Sequence, residues 1–492
     1  MTHLLDALYR QWIGAADWAH RHRGAVLAIG APLVVFALAL INRFVLRDFP
    51  NSGDEYIDLY QARTMAAGRL WNTPLEPAGV FAFNYLVQEP GRVFGSFPIG
   101  WPLVLAAALR LGVPAWLVNP MLGALSLALV WQFGSRLYDA RVGVSAAALV
   151  AVSPFFLFNG ASYFSHTICG ALLVGAACLS ARDDRMRAWV PLAAGLLVGW
   201  AVLARYFTGV VCAVPIAYWL LRPRIRRLRT AALFALGGLP WVLLLAWYNA
   251  ALSGNPWHLT TRPLTVSLWF ADNFLLRGAD MLATHVLRHL AWTPPALLVA
   301  YAVYLRVAPR ERRRGLFDWM LVLVAGCLYF YVERGGNQYG PRFHYEAFLF
   351  MAVFVAANLI RGPRLEGRAR RDRLLFGIAA ASVAAMPLVF VIHAVIERRV
   401  VSERMDPYAS VAAAGLDRAL VLIDGRVGTE RSMAARDLTR NGIDADGPVL
   451  YGIHVSEASN CDAASRVPGR TAHVYRWDRA ARRGALSPLA CP

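Results

Sequence analysis

From about residue 25 to about residue 396 the chain is a succession of apolar runs, most close to 20 residues, separated by short basic turns. Backbone in hydrocarbon must satisfy its own hydrogen bonds, so such runs read as membrane-crossing helices. Hydrophobic residues make up 58% of the 492 and charged residues only 16%, which excludes an ordinary soluble globule. The formal charge of +19 invites a nucleic-acid reading. The basic residues, however, collect in short loops between apolar runs, as the positive-inside rule requires, and no nucleic-acid partner is expected. All 50 basic residues are Arg, so no lysine enters any mechanism.

Spans fit at roughly 25–46, 113–134, 143–160, 164–181, 189–204, 206–221, 231–251, 288–305, 316–332, 346–360 and 374–396, about eleven crossings. The basic segments Arg222 to Arg229, Arg306 to Arg314 and Arg361 to Arg373 lie in the cytoplasm on this reading, with the weaker Arg182 to Arg187 and the Arg136/Arg141 turn. The stretch 98–111 is too short to span. Counting it would put the Arg clusters outside, so it reads as a re-entrant or interfacial helix. Residues 1–24 carry Leu4, Leu8 and Trp12 at helical spacing and read as a cytoplasmic interfacial helix, with no cleavable signal peptide. The expected whole is a multi-pass protein of a bacterial inner (plasma) membrane, in contact with membrane lipids.

Three outer loops follow from this topology, at about 47–97, 252–287 and 333–345. Beyond residue 397 the runs Ala419 to Ile423, Val449 to Ile453 and Thr471 to Tyr475 read as strands of a small periplasmic α/β domain, 397–492, in β-α-β-α-β order. Cys461 and Cys491 both fall there, where an oxidising compartment permits a disulfide.

Carboxylates beside membrane helices cost free energy and mark pathways, ligand sites or catalytic centres. Asp54 and Glu55, opening a helical pattern in the first outer loop, are therefore the catalytic candidates. The third outer loop, Asn337 to Glu346, offers an anion hold: Arg342 has a bidentate donor fork, and Tyr339, His344 and Tyr345 add hydrogen bonds beside a Gly340-Pro341 turn. Arg205 and His166, near the outer face, are further substrate-binding candidates, each with a structural alternative: snorkelling for Arg205, a satisfied buried histidine for His166. Asp54 and Asp58, four apart, share a helix face that a divalent cation would find short of ligands. The Gly195-x-x-x-Gly199 spacing reads as helix packing.

The pattern Asp54-Glu55-x-x-x-x-Tyr60-x-Ala62-x-x-x-x-x-Gly68, followed by Phe97-Pro98-Ile99-Gly100-Trp101-Pro102-Leu103, resembles the GT-C glycosyltransferases, particularly the protein O-mannosyltransferase and aminoarabinose-transferase group. Phe97-Pro98 stands where a Pro-Pro pair is common in that family. The resemblance covers residues 25–396 and implies a GT-C-like membrane domain that uses a polyprenyl-phosphate-linked sugar donor. It further implies Asp54 as catalytic base with Glu55 as its neighbour, and an acceptor in the cell envelope. Phosphate leaves as a stabilised anion, so the chemistry demands no strong general acid, and no cofactor is expected. Two rival classes are a transporter or flippase of a lipid-linked sugar, which should show internal repeats and broken helices at the midplane, and a non-catalytic envelope scaffold.

Overall fold

The computed structural model describes residues 2–181, 187–221, 227–259, 274–294, 338–361, 370–429 and 431–491. Five described helices are long and apolar enough to cross a membrane, or six if one bent pair is a single span, and the protein is a multi-pass membrane protein. The Arg-rich segment 306–314, the expected span 316–332 and most of the span 288–305 lie outside the described residues.

Helix α1 (Thr2–Arg21) lies beside α2 (Arg23–Leu40), which continues through a π-helical turn, Ile41–Leu46. Together Arg23–Leu46 is 24 residues, about 36 Å of helix and enough to span. On α1 the packed face is Tyr9, Trp12 and Ala16, with the Trp12 indole donating to Ser145 Oγ at 2.8 Å. Leu4 and Leu8, which suggested the interfacial helix, point outward.

Helix α3 (Gly53–Ala66) follows a reciprocal N-terminal cap: Ser52 Oγ accepts from the Glu55 backbone N–H at 3.1 Å and donates to Glu55 Oε2 at 3.3 Å. After it comes a hairpin, β1 (Leu86–Glu89) and β2 (Arg92–Gly95). Helix α4 (Gly100–Arg110) has 11 residues, about 16 Å, half a hydrocarbon thickness. It wedges against α3 with Trp101 fully buried and its indole donating to Tyr163 O at 2.8 Å.

Helices α5 (Ala115–Leu137), α6 (Ala140–Ala151), α7 (Pro154–Ala161), α8 (His166–Ser180), α9 (Trp189–Ala204), α10 (Tyr206–Leu221), α11 (Arg227–Ser253) and α12 (Phe274–Trp292) follow. The straight span expected at 143–160 is instead α6 and α7, bent by 68°. Pro154 causes it, because the residue before proline avoids helical dihedrals and Ser153 is extended at ψ 124. Gly195 and Gly199 of α9 lie against Phe234 and Gly238 of α11, so that spacing serves close helix packing. Beyond a 3-10 turn, Arg342–His344, come α13 (Tyr345–Arg361) and α14 (Arg370–Ala413). Helix α14 runs without interruption past residue 396, so residues 397–413, expected in the C-terminal domain, continue the last membrane helix as a stalk.

The stalk carries a four-stranded sheet in the order β6-β3-β7-β8, from β3 (Ala419–Asp424), β6 (Val449–Ile453), β7 (Thr471–Asp478) and β8 (Arg483–Pro488). Strand β3 is parallel to both neighbours, and residues 419–423 are all buried, which is why its sequence is continuously apolar. The expected β-α-β-α-β order is corrected in two places: β8 is a fourth strand, antiparallel to β7, and the first connection is not a helix. A two-stranded pair, β4 (Arg426–Val427) with β5 (Met433–Ala434), and a 3-10 turn join β3 to β6; the helix α15 (Glu457–Arg466) joins β6 to β7. Cys461 on α15 is bonded to Cys491. The C-terminal region seats on the segment around α3: Ile453 N–H donates to Val80 O at 2.7 Å, and the Tyr56 hydroxyl donates to Asn441 O at 2.6 Å.

Candidate active site

The first turn of α3 is the centre of the site. Its free backbone N–H groups favour negative charge, and the capping residues fix which way each acid faces. Asp54 points outward, its side chain 21% exposed, and accepts from Arg342 Nη2 at 2.5 Å. Glu55 points inward with no exposure and accepts from the Tyr163 backbone N–H at 3.0 Å. Burial pushes the Glu55 carboxyl up to about 7, against the opposing pull of that N–H and of Arg342 and Arg440. Adjacent in sequence, the two acids do different work: Asp54 meets the site, and Glu55 locks the helix start.

Arg404 of α14 supports this turn from behind. Its Nη1 donates to Asn51 O at 2.5 Å and to Asn51 Oδ1 at 2.7 Å. Asp58, one helical turn beyond Asp54, is buried, and burial followed by the Asp54 charge raises its carboxyl. Among the described residues no three His, Cys, Asp or Glu side chains are grouped to hold a metal ion, so Asp54 and Asp58 gain no third ligand there.

Arg342 reaches Asp54 because the chain turns sharply before it. Tyr339 has φ 58 and Gly340 φ 95, and a Cβ on Gly340 would lie 2.8 Å from Phe155 Cδ2, so glycine is required there on two counts. The Arg342 guanidinium stacks 4.2 Å from the Phe164 ring centroid, its side chain 9% exposed. Its Nε and Nη1 are buried with no hydrogen-bond partner, two charge-bearing donors left over after Asp54 is served.

A second charged group adjoins it. Glu346, fully buried on α13, accepts from His166 Nδ1 at 3.2 Å and lies 3.4 Å from Arg205 Nε. Arg205 occupies the break between α9 and α10, extended at φ −151 and ψ 92, and its Nη1 donates to Ser165 Oγ at 3.2 Å. The Phe343 ring is shared: Arg205 lies 5.8 Å and Arg342 5.4 Å from its centroid.

The other members of the third outer loop are placed elsewhere. Tyr339 is buried between Phe158 and Phe164, at 5.8 and 5.9 Å between ring centroids. His344 bonds His289 at 2.9 Å and packs on His285, making a cluster of three imidazoles. Tyr345 packs edge-on against Phe155. Of the hydrogen bonders expected beside Arg342, then, these three lie in other contacts: Tyr339 and Tyr345 among aromatic rings and His344 with His289. His166 is a satisfied buried histidine tied to Glu346.

Sequence reasoning missed Tyr85: the Asp54 charge and then burial raise this phenol. Nothing in an aromatic-rich loop singled it out. The Ser52-x-x-Glu55 capping pattern was readable and would have separated Glu55 from Asp54 beforehand.

With its membrane helices, outer loop and C-terminal sheet in this arrangement, the chain has the GT-C fold of membrane glycosyltransferases. The family model "Dolichyl-phosphate-mannose-protein mannosyltransferase" matches residues 97–248, from just before α4 into α11. The structure is similar to ArnT from Cupriavidus metallidurans bound to undecaprenyl phosphate, with 13% identity over 95% of this chain and 99% of that one, at a TM-score of 0.54. It is also similar to the archaeal oligosaccharyltransferase AglB from Archaeoglobus fulgidus in complex with an inhibitory peptide and a dolichol-phosphate, with 12% identity over 93% of this chain and 70% of that one, at a TM-score of 0.51. No curated protein sequence matches. The resemblance drawn from the Asp54 and Phe97 to Leu103 motifs therefore holds at the level of fold.

Proposed function

We propose that the protein is a glycosyltransferase that moves a sugar from a polyprenyl-phosphate donor to a hydroxyl of a cell-envelope acceptor. The observation that carries this reading is Arg342, held by Asp54 through one nitrogen and keeping two buried donors free. A phosphate oxygen supplies what those donors lack. As the acceptor oxygen attacks the anomeric carbon, Asp54 takes its proton. The bond from that carbon to the phosphate oxygen breaks, and polyprenyl phosphate departs with the electron pair, stabilised by Arg342. Direct attack inverts the anomeric centre, and no cofactor is needed.

The fold neighbours that hold undecaprenyl phosphate and dolichol-phosphate support a lipid-phosphate donor. The Arg-rich loops support a cytoplasmic N-terminus in an inner membrane with the sheet outside, where an oxidising compartment suits the Cys461 to Cys491 bond. The test is to supply the purified protein with defined polyprenyl-phosphate sugars and acceptor extracts and to measure free polyprenyl phosphate. Release coupled to a glycosylated product is expected. Lipid movement across the bilayer without release would put a flippase in its place.

A further inference from the structure

We propose that Arg404 is a positioning residue for Asp54, and that the β4–β5 loop of the C-terminal region holds this arginine in place; the proposal rests on the glycosyltransferase reading. Arg404 stands outside the reacting groups and acts on Asn51, the residue before the Ser52 cap. Asp54 lies in the first turn of the helix that this cap begins, so whatever fixes Asn51 fixes the carboxylate.

One carbonyl oxygen gathers three segments. Asn51 is fully buried, and its O accepts from Arg404 Nη1 at 2.5 Å and from Gln338 Nε2 at 3.1 Å, one donor for each of its two lone pairs. Gln338 lies four residues before Arg342, across the Gly340 turn. The start of α3, the approach to Arg342 and the stalk of α14 are therefore tied at one atom. Asp54 and Arg342 meet through a single bond, so their mutual placement depends on the backbone that carries them more than on the pair itself.

The rest of the Arg404 guanidinium faces the C-terminal region. Its Nη2 and Nε donate to Arg431 O at 2.6 and 3.2 Å, a fork closed on one carbonyl. Arg431 is held in turn, because its Nη1 donates at 2.5 Å to Oε1 of Glu397, an unexposed residue about two turns before Arg404 on the same face of α14. Thr429 fastens the same loop to Glu403 of α14, its N–H donating to Oε2 at 2.8 Å and its hydroxyl at 2.9 Å. Two stalk glutamates thus strap the β4–β5 loop down so that it presents a fixed carbonyl. A side chain as rotamer-rich as arginine loses much freedom when held in one geometry, and that carbonyl supplies the second half of the hold. The C-terminal region reaches the Asp54 turn through this one guanidinium.

The test is a double-mutant cycle in the polyprenyl-phosphate transfer assay on the full chain, with kcat per folded molecule and donor KM measured separately. Arg404→Lys keeps the charge, but one ammonium cannot serve Asn51 and Arg431 together. It should lower kcat by about tenfold with donor KM within about twofold of wild type, because Arg342 keeps its own turn. Arg431→Ala cuts the Glu397 tie while leaving the carbonyl, and should lower kcat by about threefold. In the Arg404→Lys background it should cost nothing more, since it acts through that arginine. Should Arg404→Lys fail to accumulate, Glu397→Gln is combined with Arg431→Ala instead, and the pair should be no worse than Arg431→Ala alone. A reduced folded yield with wild-type kcat per folded molecule, or losses that multiply in either double variant, would overturn the proposal and leave the glycosyltransferase reading standing. A wild-type protein that transfers no sugar overturns both.

Discussion

Two aspartate–arginine pairs sit in different parts of the molecule, and their geometry separates a strut from a site. Asp17 of α1 and Arg141 of α6 meet through two parallel hydrogen bonds, each 2.8 Å, with both side chains more than a third exposed. The Arg141 bond holds the Asp17 carboxyl below the usual range, and both carboxylate oxygens are used. Asp54 and Arg342 meet through one bond, nearly dry, and Arg342 keeps Nε and Nη1 unpartnered. Leaving buried charged donors unmade costs of the order of 1–3 kcal/mol or more. The fork is finished at Asp17 and Arg141 and half-made at Asp54 and Arg342, the difference on which the proposed phosphate contact rests.

If that difference is functional, breaking the Asp54–Arg342 pair should affect the donor first. Arg342→Ala should weaken donor affinity by roughly ten- to a hundredfold, since charge-assisted contacts to phosphate are lost. Titrating polyprenyl phosphate against the purified variant checks this. Affinity equal to wild type would mean that the unpartnered donors serve no ligand.

Glu55 sharpens the contrast within the Asp54 site, because it shares the Asp54 turn without sharing its access. Its carboxyl stands at about 7 when folded against an ordinary 4.5, so between those values the folded protein holds a proton that the unfolded chain has released. Stability therefore falls as pH rises through that window and stays lowered above it. Glu55→Gln remains neutral and can still accept from the Tyr163 N–H. Its melting temperature should gain on wild type between pH 5 and pH 8, by an amount corresponding to at most about 3 kcal/mol. A pH-independent difference would show Glu55 to be charged and solvated.

Much of this contrast was legible beforehand, for physical reasons that differ between elements. The ends of α9 and α10 and the apolar strand β3 could be read directly, because hydrophobic runs and strand burial are local signals. Asp54 and Arg342 stood out because charge at a membrane face is expensive. What could not be read was which neighbours meet: the Glu346 partnership with Arg205 and His166 joins residues far apart in sequence, and Asn84 of the loop after α3 meets Asp437 of the C-terminal region. The bend at Pro154 and the extension of α14 through residue 413 were missed for a simpler reason. Hydropathy reports where a helix is apolar, not whether its axis is straight or where its polar continuation stops.

The smallest effect belongs to the Asp17–Arg141 pair. Asp17→Asn should change stability by under about 1 kcal/mol, as exposed ion pairs do, with transfer unaffected. A loss of activity there would erase the distinction between strut and site.

The central claim is that Asp54 accepts the acceptor's proton, and the most direct measurement is the rate of polyprenyl-phosphate release from one defined donor by Asp54→Asn and Asp17→Asn side by side. The account predicts a fall of roughly a hundredfold or more for Asp54→Asn with donor binding retained, and a wild-type rate for Asp17→Asn. Near-normal release by a folded, membrane-inserted Asp54→Asn protein would contradict it.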